Sequence, residues 1–157
     1  MPKLLKIILA ILACLTVGFF GNFFTLSSIP TWYTILVKPS FNPPNWIFGP
    51  VWTTLYILMG VSVALVWQKG LKTRRVRDAI YLFGVQLALN AIWSPIFFGY
   101  KNIFLALIVI ILMLFFIIKT IVAFTKINKT ASLLLYPYAI WVSFATILNF
   151  SILILNR

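Results

Sequence analysis

Residues 103–124, IFLALIVIILMLFFIIKTIVAF, decide the class of fold. Lys119 is the only charge in the run. An α-helix needs about 20 apolar residues to cross the hydrocarbon of a bilayer at ~1.5 Å per residue. Lys119 lies towards one end, where its stem can carry the ammonium to the membrane surface. The segment therefore reads as a membrane-spanning helix, and the rest of the chain can be read outward from it.

On the C-terminal side, TKINKT (125–130) is a polar connector, followed by a second run from about Ala131 to Leu155 with Pro137 inside it. A proline is tolerated within a membrane helix and is expected to kink it. On the N-terminal side, Tyr100-Lys101-Asn102 reads as a tight turn closing a helix from Asp78 to Gly99. Asp78 suits a helix N-terminus, where a carboxylate meets free amides and the positive dipole end. QKGLKTRRVR (68–77) is a basic connector, and a helix from Pro44 to Trp67 precedes it. Pro44 suits a first-turn position, where its missing N–H costs nothing.

SSIPTWYTILVKPSFNPPN (27–45) contains Pro30, Pro39, Pro43 and Pro44, so it is a long aromatic loop and not a helix. The first helix runs from Leu4 to Leu26. Lys3, Lys6 and the stretch around Cys14 resemble a signal peptide, but the apolar run is long enough to be retained as a span. The expectation is an all-α integral membrane protein, one domain over residues 1–157, with five transmembrane helices at about 4–26, 44–67, 78–99, 103–124 and 131–155.

Composition agrees. Of the 157 residues 63% are hydrophobic and 9% charged, against about 25% charged in a soluble domain, so a water-soluble fold of this size has nowhere to bury its apolar surface. The net charge is +12, and Asp78 is the sole acid. Lys3, Lys6, Lys69, Lys72, Arg74, Arg75, Arg77, Lys126 and Lys129 fall on one side of a five-span topology, and Lys38, Lys101 and Arg157 on the other. That asymmetry places the N-terminus in the cytoplasm and the proline-rich loop outside, as in a bacterial cytoplasmic membrane. KGLKTRRVR (69–77) then reads as a positive-inside loop, and no nucleic-acid partner is expected.

Helical geometry sorts the unusual residues. Gln86, Asn90, Trp93 and Phe97 share one sector of the third helix, and Gly84, Ala88, Ala91 and Pro95 lie on roughly the opposite face. Phe48, Trp52, Tyr56, Met59 and Val63 share a stripe on the second helix. Pro137, Tyr138, Trp141, Phe144, Ala145 and Leu148 share one on the fifth. An asparagine in mid-membrane is costly unless it faces protein or a cavity, so the Asn90 face points inward. If the aromatic stripes meet it, they enclose a pocket suited to a large, flat, mostly apolar ligand.

Other readings stand beside this one. Trp32, Tyr33, Trp46 and Trp67 lie near helix ends, where aromatics anchor membrane proteins. Trp52, Trp93 and Trp141 suit interior packing or a pocket equally, and Asn90 and Asn149 can bond across helices as structural glue. The small Gly84/Ala88 face suits close helix packing, and its position opposite the polar face favours a homodimer.

With no histidine there is no Ser-His-Asp triad and no histidine-ligated metal or haem. One carboxylate has no partner for paired acid–base work. No metal site, resident cofactor or conventional enzyme is expected; redox or photochemistry through tryptophan is left open.

Three segments, WYTILVKPSFNPPNWIFGPVWTTLYILMG (32–60), QLALNAIWSPIFF (86–98) and PYAIWVSFATILN (137–149), resemble in order and spacing the tryptophan-rich sensory protein and translocator protein (TspO/MBR) family. The resemblance implies a five-helix bundle, usually dimeric, with a cavity closed by the first loop. It implies binding of porphyrins such as protoporphyrin IX and of benzodiazepine-site ligands, and for some bacterial members light-dependent porphyrin breakdown. It assigns Tyr33 and Pro44 to the loop lid, and Trp52 and Tyr56 to the cavity wall of the second helix. Asn90, Trp93 and Phe97 follow from the third helix, and Trp141, Phe144, Ala145 and Leu148 from the fifth. Trp52 and Trp141 match the positions tied to porphyrin degradation. Mitochondrial members also bind cholesterol, but Phe150 replaces the tyrosine of that motif and Arg157 lies too far along, which argues against sterol transport. Three functions follow as expectations: a tetrapyrrole receptor or carrier, a light-dependent porphyrin-degrading protein, or a structural, lipid- or sterol-organising membrane protein.

Overall fold

The computed structural model describes residues 1–157 and contains no strand. Five stretches are long and apolar enough to cross a membrane: α1 (Lys3–Ser28), α2 (Asn45–Trp67), the helix running Arg74–Gly99, α4 (Ile103–Thr125) and Lys129–Leu155. Within the third span, regular α-helix (α3) covers Arg74–Ser94. The last span comprises a short α5 (Lys129–Leu133) and α6 (Tyr136–Leu155). α1 packs against α2 and α3, α3 against α4, and α4 against α6, while α2 closes the ring on α5 and α6.

The bundle is built for lipid. Phe19, Phe23, Phe104, Phe115 and Ile140 are among the large apolar side chains on its outside. Gln86, Asn90, Asn149, Ser62 and Thr120 are buried. Polar groups go inward because hydrocarbon cannot hydrogen-bond them, and other helices can. Met59, Ile110, Met113, Ile117, Phe124 and Tyr138 make the centre of the apolar core.

The elements differ from expectation at four points, each for a local reason. α3 begins at Arg74, a turn before Asp78, with Thr73 as its N-cap, so Asp78 does not cap the helix. The basic connector continues the helix because arginine is a good helix former, and the Arg77 guanidinium holds the carbonyls of Leu71 and Lys72 at 2.9 and 3.0 Å. Asp78 instead faces Arg74 at 3.6 Å with both side chains exposed. Such pairs contribute about 0–1 kcal/mol, so Asp78→Asn is expected to leave the thermal unfolding midpoint within a degree or two of wild type.

The end of that span is not regular. Pro95 has no N–H, and Pro95–Gly99 form a π-turn in which Tyr100 N–H reaches the Pro95 carbonyl at 2.8 Å. Asn102 then starts α4 by accepting from Leu105 N–H at 2.9 Å. The last span breaks at Leu134–Leu135, so Pro137 lies in the first turn of α6 and does not kink an uninterrupted helix. Pro44 is likewise the N-cap of α2 and not its first residue, while Pro50 is inside the helix.

α1 and α2 cross with their backbones close together at Gly60. A Cβ on Gly60 would lie 2.5 Å from Ile11 Cα and 2.7 Å from Ile11 N. The alternating directions of the spans put Lys3, Lys6, the 69–77 connector, Lys126 and Lys129 at one end of the bundle. There Lys6 Nζ stands 5.3 Å from the Trp67 ring centroid.

Candidate functional site

Between the helices, at the end away from that basic surface, lies a cavity of about 460 Å³, within the usual range of ligand pockets. Trp52 and Tyr56 of α2 form one wall, with Phe48 above them. Trp52 stacks on Tyr56 at 5.7 Å and 29° and stands edge-on to Tyr138 at 6.3 Å. The third span supplies Asn90, Trp93, Ser94 and Phe97, with Trp93 stacked on Phe97 at 5.1 Å. Trp141, Ala145, Leu148, Asn149 and Ile152 come from α6. Tyr33, in a single 3-10 turn of the first loop, is buried at the roof among Phe97 and Phe98.

Beneath the aromatic walls runs a chain of hydrogen bonds across three helices. Tyr56 Oη donates to Asn90 Oδ1 at 2.6 Å, Asn90 Nδ2 to Tyr138 Oη at 2.8 Å, and Tyr138 Oη to Gln86 Oε1 at 2.7 Å. A phenol has one proton, and Tyr138 spends it on Gln86, so its oxygen is left to accept from the Asn90 amide. Trp93 Nε1 donates to Asn149 Oδ1 at 3.1 Å, and Asn149 Nδ2 to the Ile103 carbonyl at 3.1 Å. Two buried donors have no partner, Gln86 Nε2 and Trp141 Nε1. Of these, the Trp141 residue lines the cavity.

The roof is tied down by Tyr33 Oη donating to Asn42 Oδ1 at 3.1 Å, with Lys38 Nζ 4.7 Å from the Tyr33 ring centroid. Burial pushes the Tyr33 phenol above its ordinary pKa, and the bond to Asn42 draws it partly back. The phenol therefore keeps its proton, and its donor role, across neutral pH. On the side between α1 and α2, the lining residues Phe19, Asn22, Gly49 and Thr53 are also exposed on the bundle's outer surface. The cavity thus reaches the lipid-facing side there.

The TspO/MBR family model matches residues 10–155. This chain belongs to the TspO/MBR family. It is 49% identical to the tryptophan-rich protein TspO of Chlorobaculum tepidum, over 98% of each chain. It is 46% identical to the protein of that name from Archaeoglobus fulgidus, over 98% of this chain and 99% of the relative. With the human translocator protein it shares 41% identity over 85% of this chain and 80% of the relative.

Within this TspO/MBR fold, Tyr33, Trp52, Tyr56, Asn90, Trp93, Phe97, Trp141, Ala145 and Leu148 line the cavity. Pro44 and Phe144 do not line it. Pro44 is exposed at the start of α2, where its role is to set the helix entry, and Phe48 one turn on reaches the cavity instead. Phe144 backs Trp141 at 5.5 Å and meets Phe41 of the loop at 6.2 Å. Gly84 and Ala88 lie exposed on the outer face of α3, and a Cβ on Gly84 would meet nothing within 4 Å.

Sequence reasoning missed the contribution of α1. Gly18, Gly21, Asn22 and Thr25 line the cavity. Their spacing of three, four and seven residues is that of one helix face. Small and polar residues at that spacing in an otherwise apolar helix were the available signal. Ser94 Oγ donates to the Gly21 carbonyl at 2.8 Å, and Thr25 Oγ1 lies 2.9 Å from Ser94 Oγ, joining α1 to the third span.

Proposed function

We propose that this chain is a membrane receptor or carrier for tetrapyrroles, with protoporphyrin IX as the representative ligand and flat benzodiazepine-site-type aromatics as alternatives in the same cavity. The single observation behind this reading is the cavity itself, with its walls of stacked aromatic side chains from three spans. Indole and phenol faces stack on a macrocycle. The names of the relatives, translocator and tryptophan-rich protein, suit the same reading.

The test is a titration of detergent-purified protein with protoporphyrin IX in the dark, following tryptophan fluorescence. Saturable quenching is expected, weakened severalfold or more by Asn90→Ala. Quenching no greater than in detergent alone would remove the proposal.

A second reading is light-dependent porphyrin breakdown, favoured by the placement of both Trp52 and Trp141 on the cavity wall. An indole in contact with photoexcited porphyrin can donate an electron to it. Under illumination the porphyrin band should then fade with wild type and persist with Trp52→Phe/Trp141→Phe. Fading at the same rate in the double variant rejects the reading.

For assembly and place, we propose a homodimer through the exposed Gly84/Ala88 face, in contact with membrane lipid. The basic end suits the cytoplasmic side of a bacterial cytoplasmic membrane, with the N-terminus inside.

A further inference from the structure

The roof loop is held in two halves by different means. Its first half is anchored by packing: Tyr33 is buried against Phe97 and Phe98, and Trp32 meets Phe97 edge-on at 5.6 Å. From Val37 onward the loop has little of this kind. Val37 and Phe41 are exposed, and the internal backbone bonding of the stretch is a single turn, Asn42 N–H to the Pro39 carbonyl at 3.1 Å.

Besides the Tyr33–Asn42 bond and Lys38 on the Tyr33 ring, this half is tied to the bundle by one side chain at the far end of the sequence. Val37 N–H donates to Asn156 Oδ1 at 2.9 Å, and Asn156 Nδ2 donates back to the Val37 carbonyl at 2.8 Å. A carboxamide thus pairs at two points with one residue's backbone, satisfying both its donor and its acceptor. The same amide also donates to the Ile152 carbonyl at 2.8 Å. Ile152, one turn earlier on α6, lines the cavity. The outer half of the loop does not itself line the cavity; it is clamped to the helix turn that forms part of the cavity wall. The one aromatic contact in parallel is Phe41 on Phe144 at 6.2 Å.

We propose that Asn156 is the positioning residue that holds the roof loop down on the cavity, so that its two-point clamp on Val37 sets how fast an occupant leaves. This rests on the reading of the cavity as a ligand site. Opening the outer half breaks both bonds to Val37 and the bond from Tyr33 to Asn42 while the buried Tyr33 ring stays in place, so the segment between Tyr33 and the α2 N-cap at Pro44 moves as a flap. Two hydrogen bonds of ordinary net strength change the opening equilibrium by on the order of ten-fold or more.

The experiment has a ligand-free and a liganded arm. In ligand-free protein, hydrogen exchange at the Val37 amide is expected to accelerate on the order of ten-fold in Asn156→Ala. Leu36 N–H, bonded within its own turn to the Tyr33 carbonyl at 3.3 Å, should keep its rate. In the second arm, protein preloaded with protoporphyrin IX is diluted and its release followed by recovery of tryptophan fluorescence. Release is expected to quicken severalfold in Asn156→Ala and in Val37→Pro, and to stay at the wild-type rate in Ser151→Ala. Val37→Pro removes the loop's donor but leaves the bond from Asn156 to Ile152, so it separates a clamp from a mere helix cap.

Unchanged exchange at Val37 overturns the proposal. So does faster exchange with unchanged release, or faster release in Asn156→Ala but not in Val37→Pro. If wild type binds no porphyrin, the receptor reading fails, and exchange at Val37 still decides whether the clamp exists.

Discussion

Gly60→Leu is expected to be the most damaging single substitution in the chain, and Gly60→Ala to destabilise by about 1–3 kcal/mol as an overpacked core does. A Cβ there meets Ile11 Cα at 2.5 Å and Ile11 N at 2.7 Å. These are backbone atoms, which have no rotamer to escape into, so α1 and α2 must move apart along their length. The gain in helix propensity from Gly to Ala, up to about 1 kcal/mol in water, opposes this and does not cancel it. Gly84→Ala is the control, because a Cβ there meets nothing within 4 Å. Thermal unfolding in detergent, followed by loss of the monodisperse peak on size exclusion, should show a fall of several degrees for Gly60→Ala and none for Gly84→Ala. A midpoint for Gly60→Ala equal to wild type would mean that the two helices do not approach this closely.

Tyr138→Phe and Trp141→Phe should separate stability from ligand binding, although both remove one polar hydrogen from α6. Tyr138 Oη stands between Asn90 Nδ2 at 2.8 Å and Gln86 Oε1 at 2.7 Å and is fully buried. Its removal leaves a donor and an acceptor unpaired in the core, a cost of about 1–3 kcal/mol. Tyr138 does not line the cavity, so affinity for protoporphyrin IX should change less than stability. Trp141 is the reverse case. Its Nε1–H has no partner to lose, so the ligand-free protein should melt nearer to wild type than Tyr138→Phe does. Its affinity for protoporphyrin IX should fall severalfold, because the indole is part of the aromatic wall on which the macrocycle stacks. Measuring the unfolding midpoint and the quenching titration on both variants checks this. If Trp141→Phe binds as tightly as wild type, the indole is not part of the ligand's stacking surface.

Much of the candidate site was legible because the bilayer makes polar residues informative. In a soluble protein Asn90 and Gln86 would be unremarkable surface candidates, but inside an apolar span each must find protein or a cavity. Hence the Gln86–Asn90–Trp93–Phe97 sector pointed inward, and the stripes containing Trp52 and Trp141 met it. α1 was less legible, because its cavity face is marked by small residues, Gly18 and Gly21, which read equally as packing. Ile110 and Met113 of α4 line the cavity without any signal, since one aliphatic side chain in a wholly apolar helix looks like any other.

The ends of elements were the least legible. Asp78 was a reasonable cap by type, but Thr73 begins the helix because the arginines between them extend it and Arg77 closes the preceding turn. Pro137 read as an interior kink, yet it opens α6, as a residue without an N–H readily does. Hydropathy averages over such ends and cannot place them.

Periodicity and hydropathy along the sequence alone determined that this is a five-span helical membrane protein, and which faces of three helices turn inward. They suffice because every span must satisfy its own backbone and hide its own polar groups, which are constraints within a single helix. Only the tertiary structure decided which inward groups satisfy one another: Tyr56 with Asn90, Tyr138 with Gln86, Trp93 with Asn149, and Asn156 with the Val37 backbone of the roof. It also decided that Trp141 Nε1 is left over. Pairing depends on the relative rotation and depth of different helices, set by contacts such as Gly60 against Ile11, and no pattern within one helix carries that information.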